Sequence, residues 1–499
     1  MADRPNILVI MSDQHHAGIM GCAGDPVAYT PALDRLAANG VCFANAYCPF
    51  PLCGPSRMAF MTCRHPYDIE SWTNETQLGS DFPTFAHGLL AAGYETVLSG
   101  RMHFVGHDQR HGFARRLLGD VPESAYIAAG WKLQRVLGEL VDTPGMALAG
   151  IVKSGPGRTG YHAYDEVVTR TTVEWLRERG RQQAAPPFLL TVGYAAPHCP
   201  LVAPPEDFAR FADRITAADL PAVDLEQHPI IADQRRQWGV DPLPPVEAQW
   251  RARVAYYGLC SFLDRQVGQV LAALEEAGLA ENTLIVYTSD HGEMLGEHGA
   301  WWKSTFYEGA ERVPLIVSWP GHLPAGSAPR NVSLIDIGAT LLDLAVAPPL
   351  PAAAGRSLRP LWEGGTGWDD TIYAEYIAHH DGRIVPCRMV KQGPWKYNYY
   401  HGLRPELFNP AEDPGEERDR WNDSACADIR VRLQALVLRD WDPEFVLRRV
   451  AAWEREHPLL KACIDAAHPP EPDPVWFETP PENWHEQVAM PATNRCSPR

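Results

Sequence analysis

The sequence predicts an α/β sandwich, with a large, mostly parallel sheet between helices, followed by a smaller C-terminal α+β unit built on an antiparallel sheet. Three observations carry that expectation. Continuous apolar runs of strand length recur over roughly the first 345 residues, and runs apolar on both faces suit parallel strands covered by helices on each side. Amphipathic helical patterns lie between them, the alternation expected of α/β architecture. Beyond about residue 345 the runs shorten and turn residues multiply, which suits antiparallel strands.

The elements follow in order. Ile7 to Met11 is the first strand, with Ser12-Asp13-Gln14 directly after it. Thr30-Pro31 is a cap followed by a first-turn proline, with Leu33, Leu36 and Ala37 at helical spacing and Gly40 as the stop. Glu95 to Leu98 runs into Ser99-Gly100-Arg101-Met102-His103, and Phe188 to Val192 leads to Ala196-Pro197-His198. Tyr256, Leu259, Leu263, Val267, Val270, Leu271 and Leu274 mark one long helix ending near Gly278. Thr283 to Tyr287 then leads to Ser289-Asp290-His291-Gly292. In open α/β sheets ligands bind beyond the carboxyl ends of the strands, so these four polar clusters are expected to meet at one site.

The proline-rich stretch Ala347 to Pro351 reads as a bend. Thr371–Tyr376, Cys387–Lys391 and Trp395–Tyr400 read as strands, Leu407-Phe408-Asn409-Pro410 and Asp413 to Glu416 as turns, and Ala427 to Leu438 as a closing helix. The expected division is a catalytic domain over 1–365, a smaller antiparallel-sheet domain over 366–460, and a tail rich in proline and tryptophan over 461–499. The tail is too aromatic for a simple linker and is expected to lie against the body or a neighbouring subunit of a homo-oligomer.

The formal charge of −18 argues against nucleic acid and other polyanions as partners, while leaving room for a small anion in a local cationic pocket. Eleven cysteines without a regular framework fit a reducing compartment. No run is long enough to span a membrane, and the first apolar run is too short for a signal-peptide core. A cytoplasmic protein is expected, and Asn74-Glu75-Thr76 is then a coincidental match to a glycosylation acceptor.

Cys53-Gly54-Pro55-Ser56-Arg57 is the most informative stretch. It places a thiol just before a proline suited to the first helical position, facing free backbone N–H groups where negative charge is stabilised. Such a position suits a low-pKa nucleophile or an anionic substrate. Asp13, Gln14, Asp290 and His291 offer three oxygen-bearing side chains and one imidazole. Oxygen ligation favours Ca²⁺, Mg²⁺ or Mn²⁺, and the imidazole tilts the choice toward Mn²⁺.

Cys-x-Pro-Ser-Arg resembles the signature of the type I sulfatases, in which the cysteine is oxidised to formylglycine. The resemblance is broad. Arg4 to Gln14, Thr30-Pro31 with Leu33 to Ala37, Gly100-Arg101-Met102-His103, Thr288 to Glu293, and Tyr307-Glu308-Gly309 with Arg312-Val313-Pro314 are similar to family blocks. It covers most of residues 4–345, and Leu407 to Glu416 extends it into the smaller domain. The fold implied is that of alkaline phosphatase. By resemblance, Asp13, Gln14, Asp290 and His291 hold one divalent ion, and Cys53 becomes formylglycine through a formylglycine-generating enzyme. The hydrated aldehyde is the nucleophile and Arg57 stabilises it. Arg101 and Lys303 bind sulfate oxygens, His198 protonates the leaving alkoxide, His103 takes the proton from the second hydroxyl, and Asn74 contacts substrate.

Two positions depart from the family pattern. Arg101 stands where lysine is usual, replacing a point charge with a planar fork. Cys63 stands where glycine is usual, in a stretch that the maturing enzyme reads. With Cys48, Cys53 and Cys63 close in sequence, an off-path disulfide is conceivable. The segments around Phe82 to His87 and Leu98 to Phe113 look most like the choline-sulfatase branch, for which Trp72, Trp131, Trp301, Trp302 and Tyr307 are candidates for an aromatic cage. The expected reaction is hydrolysis of a small organic sulfate ester, choline or aryl sulfate among them. The alternative is a phosphonate monoester or phosphodiester hydrolase using the same site.

Overall fold

The computed structural model describes residues 4–106, 108–120, 146–223 and 227–467, so Trp131 and residues 468–499 of the expected tail lie outside it. Eight strands form the main sheet: β1 (Asn6–Asp13), β2 (Val41–Tyr47), β3 (Glu95–Gly100), β4 (Arg115–Leu118), β5 (Phe188–Pro197), β6 (Thr283–Ser289), β7 (Leu315–Ser318) and β8 (Gly326–Ser333). Their order is β8-β2-β7-β6-β1-β5-β3-β4. Only β7 runs antiparallel to its neighbours, so the sheet is mostly parallel as expected.

Side chains alternate across a strand, and β1 shows what that does here. Ile7, Val9 and Met11 enter one core, while Leu8 and Ile10 enter another on the opposite face. The first core is closed by α2 (Cys53–Thr62), α3 (Phe85–Ala91) and α6 (Ile335–Leu344). The second is closed by α1 (Pro31–Ala38), α4 (Gly160–Gly180) and α5 (Val246–Glu276).

The cap of α1 differs from the sequence reading. Thr30 makes no side-chain cap; Asp264 on α5 accepts from Ala32 N at 3.0 Å and from Leu33 N at 2.8 Å instead. A carboxylate on these orphan N–H groups ties two helices together as well as capping one.

A second sheet follows, with β9 (Thr371–His380), β10 (Arg383–Gln392), β11 (Trp395–Tyr400) and β12 (Glu406–Phe408) in antiparallel sequence. Leu407-Phe408, expected in a turn, is instead strand β12, because its backbone pairs with Lys396 and Tyr397 of β11. One face carries α7 (Ala427–Val437), with Leu433 and Val437 against Tyr397 and Leu407. The other face docks on the main domain through Tyr47 and Phe306. Helix α8 (Pro443–Ala467) runs from the small sheet back toward the segment after Cys53. Among the described residues no helix is long and apolar enough to cross a membrane.

Candidate active site

Parallel register sets the site. Ser12 of β1 pairs with Ser289 of β6, and Gly100 of β3 pairs with Gly193 of β5. The residues that follow each strand therefore emerge along one edge: Asp13 and Gln14, Asp290 and His291, Arg101 to His103, and the loop to His198. Gly193 is required there, since a Cβ would stand 1.7 Å from the carbonyl oxygen of Arg101.

Cys53 is the first residue of α2, so the helix starts earlier than the proline suggested and Pro55 occupies its third position. A missing N–H costs nothing anywhere in that turn. Leu52 supplies no side-chain cap, and the N–H of Gly54 donates to Oδ1 of Asn74 at 2.9 Å. At the other end, Cys63 adopts a left-handed φ of 56°, the conformation that favours glycine. Its Sγ occupies the space beside Gly338, where a Cβ would come within 2.4 Å of it. Cys48, Cys53 and Cys63 are all free thiols.

Around Cys53 the charged groups are buried and paired. Sγ lies 3.5 Å from Oδ1 of Asp13, 3.2 Å from Nε2 of His291 and 3.1 Å from Nζ of Lys303. Arg57 donates to Asp290 at 2.8 Å, to Asp13 at 3.1 Å and to the Arg101 carbonyl at 2.9 Å. Arg101 donates from Nε to Asp13 at 2.7 Å, and its Nη2 faces Nδ1 of His103 at 3.5 Å. Nε2 of His103 lies 3.1 Å from the main-chain carbonyl of Asn74. His198, at the half-buried rim, holds its Nδ1 2.6 Å from the Cys199 carbonyl. The structure thus gathers every expected site residue, with Arg57 turned to the carboxylates rather than to Cys53.

The field of these groups outweighs burial. Desolvation opposes a charge on Cys53, yet Lys303 and His291, the largest opposing influences, hold its thiol well below the usual value. Asp13 is likewise buried, and Arg101, His198 and Arg57 keep its carboxyl low. His198 is pushed up to about 10: burial disfavours its cation, but Cys199 and Asp13 favour it more strongly.

Oxygen and nitrogen atoms of Asp13, Asp290 and His291 and Sγ of Cys53 all lie within 4.8 Å of one another. Gln14 adds an amide oxygen, which receives Nζ of Lys303 at 2.8 Å, so a cationic group already stands on that donor. A hard, mostly oxygen donor set of this kind fits a divalent ion. Gln14 and His103 both adopt left-handed backbone, with φ of 68° and 59°. Such conformations are held only where surrounding structure over-determines them.

Two buried carboxylates that do the holding were missed in the sequence. Glu293 accepts from Gln14 Nε2 at 2.5 Å and from the backbone of Leu295 and Trp302 at 2.8 and 2.6 Å. Asp120 accepts from the backbone N–H of Met102 at 3.0 Å and of His103 at 2.5 Å. Asp120 follows the apolar end of β4 after one intervening residue, Gly119, a looser form of the strand-then-acid signal that marked Asp13 and Asp290. The described aromatic candidates do not form one cage. Trp301 and Trp302 lie fully buried in the core under α5, Tyr307 stacks on His298 at 3.8 Å, and Trp72 donates Nε1 to Glu375 at 3.4 Å.

Fold and site together define a hydrolase of the alkaline phosphatase fold. Comparison with known proteins then fixes the family. The Sulfatase family model matches residues 5–347, and that of the N-sulphoglucosamine sulphohydrolase C-terminal region matches residues 296–440. The chain belongs to the sulfatase family and is a sulfuric ester hydrolase. It is 34% identical to the choline-sulfatase of Rhizobium meliloti, over 83% of this chain and 81% of that one. Arylsulfatase K of Danio rerio is 28% identical over 87% of this chain and 84% of its own. Among solved structures, a phosphonate monoester hydrolase from Silicibacter pomeroyi superposes with a TM-score of 0.72 at 25% identity, covering 87% of this chain and 94% of that one.

Proposed function

We propose that this enzyme hydrolyses a small organic sulfate monoester, with Cys53 converted to formylglycine and one divalent ion held by Asp13, Gln14, Asp290 and His291. The observation that carries the reading is the placement of Cys53 Sγ, 3.2 Å from His291 and 3.1 Å from Lys303 within the candidate ligand set. That sulfur marks where the two oxygens of the aldehyde hydrate would stand. When bound, the ion supplies Lewis acidity and charge neutralisation.

The remaining chemistry belongs to the chain's own residues. One diol hydroxyl gives up its proton to solvent and its oxygen attacks sulfur; the S–O bond to the ester oxygen breaks, and that oxygen departs as an alcohol with the proton of His198. With a pKa raised to about 10, His198 carries that proton at neutral pH. His103 then removes the proton of the second hydroxyl. The carbonyl reforms, the bond to the sulfated oxygen breaks, and sulfate leaves without water attacking sulfur. Arg101 and Lys303 neutralise charge on the sulfate oxygens, while Arg57 fixes the two carboxylates and the Arg101 backbone.

The likeness to a choline-sulfatase and to arylsulfatase K supports choline sulfate or an aryl sulfate as substrate. The likeness to phosphonate monoester hydrolases supports a second reading, cleavage of a phosphonate monoester or phosphodiester at the same site. The deciding experiment is a set of kcat/KM values on protein whose residue 53 is confirmed as formylglycine by peptide mass. Choline sulfate, an aryl sulfate, a sulfated monosaccharide and a phosphonate monoester form the panel. A dominant sulfate ester names the leaving group. A phosphonate that matches or exceeds every sulfate overturns the first reading in favour of the second.

A further inference from the structure

Helix α8 packs behind the loops that carry the nucleophile. Phe445, Val446 and Val450 share one apolar cluster with Phe50, Leu52 and Trp72. Phe50 and Leu52 lead into Cys53, and Trp72 leads into Asn74. Among the described residues further along the helix this packing stops. A cavity of about 480 Å³ opens between Thr73, Thr76 and Gln77 on one side and Ala452 and Trp453 on the other. Two side-chain contacts among its lining residues join the two walls. Arg449 Nε donates to Glu70 at 2.6 Å, and His457 Nε2 donates to Glu75 Oε2 at 3.0 Å. His457 is itself stacked on Trp453, with centroids 4.3 Å apart.

Dispersion acts only between atoms in contact, so apolar packing cannot hold the segment across that space. The polar contacts hold it instead. Asn74, next to Glu75, touches both the Gly54 N–H and His103 Nε2, at 2.9 and 3.1 Å. We propose that α8 is a positioning strap for Asn74, acting chiefly through the His457–Glu75 contact. The inference rests on the catalytic reading of Cys53 and His103 given above. Exposed contacts of this kind add little to global stability, but misplacing catalytic geometry by a fraction of an ångström is costly in rate.

The test uses the full-length, formylglycine-bearing enzyme and its best ester substrate. His457→Phe keeps the stack on Trp453 and removes the donor; Glu75→Ala removes the acceptor. Each is expected to lower kcat about three- to ten-fold while KM changes less than about twofold. The double variant is expected to be no worse than the weaker single, because the pair acts as a unit. His457→Gln, which retains a donor, is expected to return kcat to near the parent value. Hydrogen exchange over residues 70–77 should quicken in the first three variants and not in the fourth. Unchanged kcat in both single variants overturns the proposal, as does unchanged exchange. If the parent turns over none of the esters, the proposed function fails, and the exchange comparison still decides the strap.

Discussion

The main-chain carbonyl of Asn74 lies 3.1 Å from Nε2 of His103 and fixes that ring's tautomer. A carbonyl only accepts, so Nε2 carries the hydrogen and the neutral ring presents a bare Nδ1. Nδ1 faces the Arg101 guanidinium. The form of His103 able to take a proton is therefore selected by backbone, which a substitution of Asn74 itself leaves in place. The Asn74 side chain has a separate task on Gly54.

Those two tasks predict different variants. His103→Ala should lose roughly 10²–10⁴-fold in kcat and leave a sulfated enzyme visible by intact mass. Asn74→Ala keeps the carbonyl and orphans one N–H, a local cost of about 1–3 kcal/mol. It should slow turnover without trapping the sulfated form. Trapping in Asn74→Ala at the level of His103→Ala would show that the tautomer depends on the side chain after all.

His198 should matter in proportion to the leaving group. A phenolate departs readily without a proton, an alkoxide does not. His198→Asn is expected to lower kcat for an alkyl sulfate by about two orders of magnitude or more and to barely change it for an activated aryl sulfate. Because the pKa is raised to about 10, the parent should keep its alkyl-ester activity through neutral pH and lose it as pH rises through that value. Equal losses on both substrates would remove His198 from the acid role.

Glu293 aims the amide of Gln14 by accepting from its Nε2, which leaves Oε1 facing Nζ of Lys303 at 2.8 Å, the group that also stands 3.1 Å from Cys53 Sγ. Glu293→Gln is expected to weaken divalent-ion affinity by about 10–100-fold. The readout is the rise in Tm on titrating Ca²⁺ or Mn²⁺ into chelator-treated protein. The parent should lose both Tm and activity with chelator and regain them with the ion. A parent whose Tm ignores chelator and added ion would sink the metal assignment.

Glu375, on β9, accepts from Tyr67 N at 3.2 Å and from Trp72 Nε1 at 3.4 Å. Burial raises its pKa to about 7 against the weaker opposing pull of Arg388. Between about pH 4.5 and 7 the folded protein holds a proton that the unfolded chain releases. Stability should therefore fall as pH rises through that window, by on the order of 3 kcal/mol from this group. Glu375→Gln should flatten the dependence, measured as Tm at pH 5 and pH 8. An unchanged slope would assign the acid-side stability elsewhere.

What was legible in the sequence was local. The strands ending at Asp13, Gly100, Pro197 and Ser289 each announce themselves by an apolar run, and the chemistry sits directly after it. What was hidden depends on partners far along the chain. Asp264 caps α1 from 231 residues away at Leu33, which no local pattern at Thr30 reveals. Strand β12 exists because β11 offers it an edge, and its three residues are too few to show a period. The described aromatic candidates lie apart for a similar reason, since composition cannot separate a cage from a core.

The contact between Cys63 and Gly338 is one of two that forbid a side chain at 338. A Cβ there would stand 2.4 Å from the Cys63 sulfur and 2.7 Å from the Phe85 ring. Glycine at 63 would relieve the first overlap and leave the second, so 338 is held to glycine whatever stands at 63. The dependence between these two distant positions therefore runs in one direction: the cysteine needs the glycine, and the glycine does not need the cysteine.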